Sequence, residues 1–379
     1  MKIIHTADLH LDSSLSRHLG DERAKERRNE LLVTFQKMVK YAADEDVSAI
    51  IIAGDLFDTR RISATARNAV VTTVQDHPDI TFYYLRGNHD AGSFIDDVVK
   101  KFGALPENLL LFGDEWKTYE LSNGEESVTI TGAELSADNN MQLVSSLVLD
   151  QNKMNIVTLH GQEVYSALKK DAEVIPIKDY RNRGIDYMAL GHIHSPSIEK
   201  LDSRGVYSYS GCLEGRGFDE CGPRGFNMLT ITRNETGVQK LEVEFIPFAS
   251  RVLHEIRVDV SECETSDDAV KKIRDEVQER TVISDDLLRV LLVGEVPVEA
   301  DIDADYIKKN LDNDYYLVQV KDKTKTFVDF AGFAGDMTLK GEFVRMIQEE
   351  QTSGNLTDDE AAEIIKTGIM LLAGEEVLK

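Results

Sequence analysis

The stretch YYLRGNHDAGS, residues 83–93, runs from an apolar segment into Arg-Gly-Asn-His-Asp and halts at Ala-Gly-Ser. It ends a buried-looking strand in an amide, an imidazole and a carboxylate in succession. Each of those groups can hold a metal or move a proton. A single cluster of this kind is weak evidence, so its meaning depends on whether the rest of the chain supplies partners.

The partners are there. "ADLH" contributes Asp8 and His10, "GDLFD" contributes Asp55, "GNHD" contributes Asn88 and His89, "LHG" contributes His160, and "GHIH" contributes His192 and His194. Every one of these segments closes an apolar strand. In an open α/β sheet the C-terminal strand ends share one edge, so residues distant in sequence are expected to converge there. Asp-x-His is expected to place two ligands on the same side of an extended segment, and Gly-His-x-His repeats that spacing. Mixed imidazole, carboxylate and amide donors suit manganese, iron or zinc better than calcium or an all-thiolate site. Gly54, Gly87 and Gly191 precede Asp55, Asn88 and His192 and permit tight backbone turns there. His5 and His18 are read as ordinary histidines, internally satisfied or exposed. A lone Gly-Asp pair is common in turns; five elements in this order are not.

Hydrophobic periodicity sets the frame. Leu31, Leu32, Phe35, Met38, Val39 and Ala42 mark one face of a helix over 21–46, and 63–77 reads as a second helix with Ser63 as N-cap. With strands that run into polar ends in "KIIHTADLH" (2–10), "SAIIIAGDLFD" (48–58) and "ITFYYLRGNHD" (80–90), this gives β-α-β-α-β, the pattern of parallel strands with crossover helices. Beyond residue 105 come short strands, a turn at "SNGEE", and a closing hairpin from 226 to 248. The fold class is therefore α/β. A second unit starts near residue 250, and the expected division is 1–248, 249–335 and 336–379. Two helices close the chain. One carries Leu339, Phe343, Met346 and Ile347; the other opens with a Thr357–Glu360 capping box and carries Ala361, Ile364, Ile365, Ile369 and Leu372. Their stripes either pack on their own domain or present a partner-binding arm.

Of the 379 residues, 42% are hydrophobic and 29% charged, as in soluble globular proteins. No apolar run reaches the roughly 18 residues of a membrane span. The first residues lack the pattern of a signal peptide. Cys212, Cys221 and Cys263 are too few and scattered for a disulfide framework, so a reducing cytoplasm is the expected location. The net charge is −25, which opposes purely electrostatic capture of nucleic acid and demands a local basic groove for it. Residues 251–379 hold 16 Lys and Arg against 30 Asp and Glu, more than half of that excess.

The series D-x-H, G-D, G-N-H-D, H, G-H-x-H resembles the signature of the calcineurin-like metallophosphoesterases. The resemblance implies a four-layer β-sandwich flanked by helices, with a smaller α+β capping domain. It implies a two-metal site. Asp8, His10, Asp55 and His194 would hold one ion, and Asp55, Asn88, His160 and His192 the other. Manganese is the expected metal, with iron, zinc or magnesium as substitutes. Two such ions roughly 3.5–4 Å apart would hold a bridging hydroxide that attacks phosphorus. His89 would donate a proton to the leaving oxygen, oriented by Asp90.

Within that family, "HTADLHLDS", "GDLFD" and "YSGCLEGRGFDE" look like the SbcD-type DNA-repair nucleases, the YhaO-like branch above all. The likeness covers residues 1 to about 248; beyond that it is one of layout. It implies a 3′-to-5′ exonuclease on DNA, an SbcC-like ATPase partner docking on the C-terminal helices, and self-association as a homodimer. Relatives often carry histidine where this chain has Asp58, a position tied to the balance between exonuclease and endonuclease action. Arg60, Arg61, Arg86 and Arg216 are the candidates for phosphate contact; Arg60 and Arg86 are read as solvated, and Arg216 as the one inside a glycine-rich loop over the metals. The rival readings are a phosphodiesterase or phosphatase for small molecules, and a silent scaffold. The complete ligand set, His89 included, argues against the last.

Overall fold

Strand β1 (Lys2–Thr6) shows how the first unit is layered, because its neighbours Ile3 and Ile4 are both fully buried but in different cores. Side chains alternate across a strand, so burial on both faces means that the sheet is covered on both. In the computed structural model, residues 1–15, 21–58, 62–90, 93–136, 138–164, 174–235 and 237–373 are described. They form two compact units, Met1–Val252 and Leu253–Lys379.

In chain order the first unit runs through β1, helix Asp21–Asp44, β2 (Val47–Ala53), helix Ala64–Gln75, β3 (Thr81–Leu85), helix Ser93–Phe102 and β4 (Leu109–Leu111). There follow β5 (Lys117–Ser122), β6 (Ser127–Gly132), helix Asn140–Ser146, β7 (Met154–His160), β8 (Gln162–Val164) and β9 (Val174–Pro176). After a 3-10 turn at Ile177–Tyr180 come β10 (Tyr187–Gly191), β11 (Ser197–Lys200), β12 (Val206–Tyr209), β13 (Gly225–Arg233) and β14 (Gln239–Pro247). They build two six-stranded sheets, ordered β14-β13-β1-β2-β3-β4 and β11-β12-β10-β7-β6-β5. Strands β1 to β4 are mutually parallel, and so are β6, β7, β10 and β12. The expected hairpins close by antiparallel pairing of β5 with β6 and of β13 with β14.

The sheets face each other across a core of Ile3, Ala49, Ile51, Tyr83 and Leu85 from one side and Ile130, Ile156, Tyr187 and Ala189 from the other. Ile4, Ile50, Ile52 and Tyr84, with opposite parity, pack on Leu31, Phe35, Met38 and Val39 of helix Asp21–Asp44 and on Val70 and Val74 of the next helix. The outer face of the second sheet buries Val157, Leu159, Met188 and Leu190 against Leu143 and Tyr180. Three cores between four layers give the expected sandwich. They also correct one expectation: the candidate ligands do not line one edge of a single open sheet. Those after β1, β2 and β3 belong to one sheet and those after β7 and β10 to the other.

The second unit holds a parallel three-stranded sheet of β15 (Leu253–Asp259), β16 (Leu287–Val293) and β18 (Leu317–Asp322). Helix Ser266–Glu279, with a complete capping box from Thr265 and Asp268, and helix Ala304–Leu311 pack on it. β17 (Glu295–Pro297) pairs with β19 (Lys325–Phe327). The terminal helices Leu339–Thr352 and Asp358–Ala373 share a small core of Val344, Ala362 and Ile365 with Val298, Val328 and Phe333. The Thr357–Glu360 box forms as expected. Each apolar stripe is split. Phe343, Ile347 and Ile369 turn inward, while Leu339, Met346, Ile364 and Leu372 stay exposed. Among the described residues no helix is long and apolar enough to cross a membrane. Because Ile365 is fully buried, Ile365→Ala should cost the second unit roughly 2–5 kcal/mol, read as a lower urea midpoint in that unit's unfolding.

Candidate metal centre

Two loops, one after β1 and one after β2, are tied together main chain to main chain. The Asp8 N–H donates to Gly54 O (3.1 Å), the His10 N–H to Asp55 O (2.9 Å) and the Leu11 N–H to Leu56 O (2.9 Å). To make these bonds the backbone curls. Asp8, His10 and Asp55 have φ of 51°, 45° and 52°, and His192 has φ of 100°. The expected extended Asp-x-His geometry is therefore not what forms. Left-handed conformations cost free energy in residues other than glycine and persist only where surroundings over-determine them. Glycines let the sheets close in. A Cβ on Gly54, itself at φ 95°, would lie 2.1 Å from His160 Nδ1, and one on Gly191 would lie 2.0 Å from Ala53 O.

The structure brings all seven expected ligands together. Ligand atoms of Asp8, His10 and His194 cluster, as do those of Asp8, Asp55 and His160. Asn88 Oδ1 lies 3.0 Å from His160 Nε2, and the His192 ring stands perpendicular to the His160 ring with centroids 5.5 Å apart. The His192 N–H donates to both oxygens of Asp8.

The partners of the ring nitrogens show what the cluster can hold. His10 Nδ1 faces Asp58 at 3.1 Å, His194 Nδ1 faces Glu220 at 2.7 Å, and His160 Nδ1 faces Ala53 O at 2.9 Å. The partners of His10 and His160 are acceptors, so their Nδ1 carries the hydrogen and their Nε2 presents a lone pair; His194 Nδ1 faces the Glu220 carboxylate most closely, with Arg216 Nη2 at 3.2 Å beside it. Yet His10 Nε2 and His194 Nε2 are 3.2 Å apart, and His160 Nε2 looks at Asp55 Oδ2 (3.3 Å) and Asn88 Oδ1. Acceptors face acceptors, an arrangement that a cation resolves, and the donor chemistry fits divalent ions. Burial keeps the His10 ring on the neutral side. At His160 burial works the same way, but the hydrogen bond and charge of Asp55 outweigh it and push the imidazole up to about 9, so a proton fills the gap when no cation does.

The arrangement around His89 differs from expectation. Its Nδ1 meets Asp58 at 3.1 Å, and that hydrogen bond raises its pKa. Asp58 also takes His10 Nδ1 and the Ser13 hydroxyl (2.7 Å), and these donors hold its carboxyl well below the usual range although burial opposes its charge. Asp90, expected to orient His89, instead accepts from the backbone N–H groups of Gly87 (2.9 Å), Phe57 (2.9 Å) and Leu56 (3.3 Å). It staples the Gly-Asn-His-Asp loop to the Gly-Asp loop, and burial pushes its carboxyl up to about 6. The physical reason is direction: a carboxylate one residue from the imidazole turns back to the strand ends, whereas Asp58 arrives from a facing loop.

Arg216 is largely buried. It bonds Glu220 at 2.7 Å and has Nη1 3.8 Å from Asp58. Arg224, not anticipated, donates to His194 O (2.7 Å), Cys221 O and Glu220 O. Glu220 was also missed; its four-residue spacing from Arg216 in "RGFDE" was the available signal. Arg86 is held by Glu134 through two bonds of 2.8 and 2.6 Å rather than free in solvent. His5 is buried against Tyr187 as an internally bonded histidine. Arg60, Arg61 and His18 lie outside the described residues. Among the described residues Cys212, Cys221 and Cys263 form no disulfide.

A sandwich of two six-stranded sheets with this donor cluster at its strand ends defines a metallophosphoesterase. The calcineurin-like phosphoesterase profile matches residues 1–196, more than half of the chain, and the chain belongs to that family. It is 26% identical over 283 residues to the DNA double-strand break repair protein Mre11 of Haloferax volcanii, across 73% of this chain and 58% of that one. It is 26% identical over 310 residues to the uncharacterized metallophosphoesterase YhaO of Bacillus subtilis, across 78% and 72%. It is 27% identical over 287 residues to the SbcD component of the nuclease SbcCD of Staphylococcus epidermidis, across 68% and 72%. The chain thus spans less than two thirds of the haloarchaeal relative.

Metal uptake should displace the His160 proton, so manganese affinity should rise with pH up to about 9 and calorimetry at about pH 7.5 in buffers of different ionisation enthalpy should register proton release. Asp90→Ala strands three backbone N–H groups and should lower stability by roughly 2–4 kcal/mol in urea denaturation.

Proposed function

We propose that the chain is a metal-dependent DNA nuclease, a manganese-dependent 3′-to-5′ exonuclease of DNA repair that also cuts single strands internally. The observation that carries the reading is the cluster of Asp8, His10, Asp55, His160 and His194 with His89 beside it, half-exposed, its Nδ1 3.1 Å from Asp58. Similarity to an Mre11 and to an SbcD supports DNA as substrate.

Asp8, His10, Asp55 and His194 would hold one ion, and Asp55, Asn88, His160 and His192 the other. Divalent ions in such a site neutralise phosphate charge and lower the pKa of water. The remaining work falls to the chain. Asp58 holds the His89 ring by Nδ1, which leaves Nε2 to give its proton to the departing sugar oxygen. The hydrogen bond from the same carboxylate raises the pKa of that ring, which favours its protonated form. Asp58 therefore touches both a metal ligand and the proton donor, and its replacement by histidine in relatives would change both. Arg216 Nη1, loosely paired with Asp58, is the guanidinium placed to contact the substrate phosphate. Glu220 and Arg224 fix His194 from behind.

A partner ATPase of the SbcC kind and a homodimer complete the reading, in a cytoplasmic setting. The exposed Leu339, Met346, Leu371 and Leu372 on the terminal helices are where the ATPase would bind. The net charge of −25 favours a second reading, a phosphodiesterase or phosphatase for small molecules.

The discriminating experiment is digestion of an end-labelled duplex with manganese, magnesium or chelator, beside a chromogenic bis-ester of phosphate. Manganese-dependent shortening of the DNA is expected. His89→Ala should lower kcat by roughly 10²–10⁴ with both metals still bound. Asp58→Asn should lower it by roughly 10–10² and weaken binding of the ion held by His10. Hydrolysis of the ester with DNA intact, alone and with the ATPase added, would sink the nuclease reading in favour of the second.

A further inference from the structure

Two opposite charges lie sealed in the first unit away from the ligand cluster. Arg27, on helix Asp21–Asp44, and Glu214, at the start of the glycine-rich loop, are 1% and 2% exposed. Burying such a pair is poor strategy for stability alone, because desolvation consumes most of the attraction and apolar side chains of the same size serve as well. Their bonds show what else they do. Arg27 Nη2 donates to the main-chain oxygen of Gly215 (2.8 Å) and lies 3.4 Å from Glu214 Oε2, while Nη1 is paired with Glu30. Glu214 Oε1 accepts from the Thr34 hydroxyl (2.7 Å) on the same helix and from the Ser250 N–H (2.5 Å). Glu30 reaches on to Arg251 (2.8 Å).

The loop over 213–224 is thereby gripped on two sides. On the cluster side Glu220 and Arg224 attach it to His194. On the far side Arg27 and Glu214 attach it to the helix. Between the grips stands Arg216, one residue beyond the carbonyl that Arg27 holds. A buried guanidinium bonded to a carbonyl fixes that peptide plane, and with it the direction in which the next side chain leaves the backbone.

We infer that Arg27 and Glu214 are positioning residues that set the placement of Arg216 over the metal centre, acting through the Gly215 carbonyl. Neither touches the reacting atoms. The inference rests on the reading of Arg216 as a phosphate contact. It adds that helix Asp21–Asp44 serves as the rigid reference for that contact, and that the segment leaving the unit at Ser250 and Arg251 ends on the same two carboxylates.

The test is a double-mutant cycle read as the Kd of orthophosphate for the full-length, manganese-loaded protein, so that it needs no turnover. Glu214→Gln keeps an oxygen for Thr34 and Ser250 but turns an N–H donor on Arg27. It should weaken phosphate about fivefold, and Arg216→Ala should weaken it about tenfold or more. The double variant should match Arg216→Ala within about twofold, because the first change acts only through the second residue. Amide exchange should rise across 213–224 in Glu214→Gln and stay unchanged elsewhere in the unit. Arg27→Lys, which keeps charge but loses the fork, gives a second cycle should Glu214→Gln not fold. Losses that multiply in the double variant, or an unchanged Kd in both single variants, would overturn the inference. A wild type that binds no phosphate would overturn its premise. A wild type that binds phosphate but leaves DNA whole defeats only the nuclease reading, and the cycle still decides the positioning role.

Discussion

Imidazole nitrogens stripped of their hydrogens and aimed at carboxylates are the constraint around which the first unit is organised. His10 and His160 each spend Nδ1–H on an acceptor behind them. What remains in front is a concentration of lone pairs that repel one another in a nearly dry setting. Such a cluster is stable only when rigid structure holds it from behind and positive charge fills it from in front. The paired loops after β1 and β2, the glycines that let β7 and β10 approach them, and the Asp90 staple are the rigid structure. Bound divalent ions would supply that positive charge.

This explains why unfavourable backbone gathers here. Left-handed φ values at Asp8, His10, Asp55 and His192 would each be avoided in a loop free to relax. At Asp8, His10 and Asp55 they accompany the main-chain bonds that tie the two loops together, and at His192 the N–H bonds to the Asp8 carboxylate. Strain and lone-pair repulsion are thus concentrated at one end of the sandwich, while the three cores behind it are apolar.

The acidic character of the chain fits this picture better than it first suggests. Near the centre Asp58 and Glu220 are engaged by His10, His89, His194 and Arg216, so they act as internal counter-charges rather than as a field that repels a polyanion. More than half of the excess negative charge sits beyond residue 250, in the second unit.

Sequence alone determined the β-α-β-α-β frame and the donor types that end its strands. The stripe from Leu31 to Ala42 is a local pattern that survives any tertiary arrangement, and the five polar strand ends state their chemistry by composition. What tertiary structure decided was pairing across loops. Asp90 adjoins His89 in the chain, yet Asp58, from a facing loop, holds the ring, because side-chain direction at a strand end depends on neighbours absent from the local sequence. The curl of Asp-x-His followed from bonds to a second loop. Arg27 lies four residues before Leu31 on the inward stripe of its helix, but its partner, the Gly215 carbonyl, is 188 positions away and no local pattern names it.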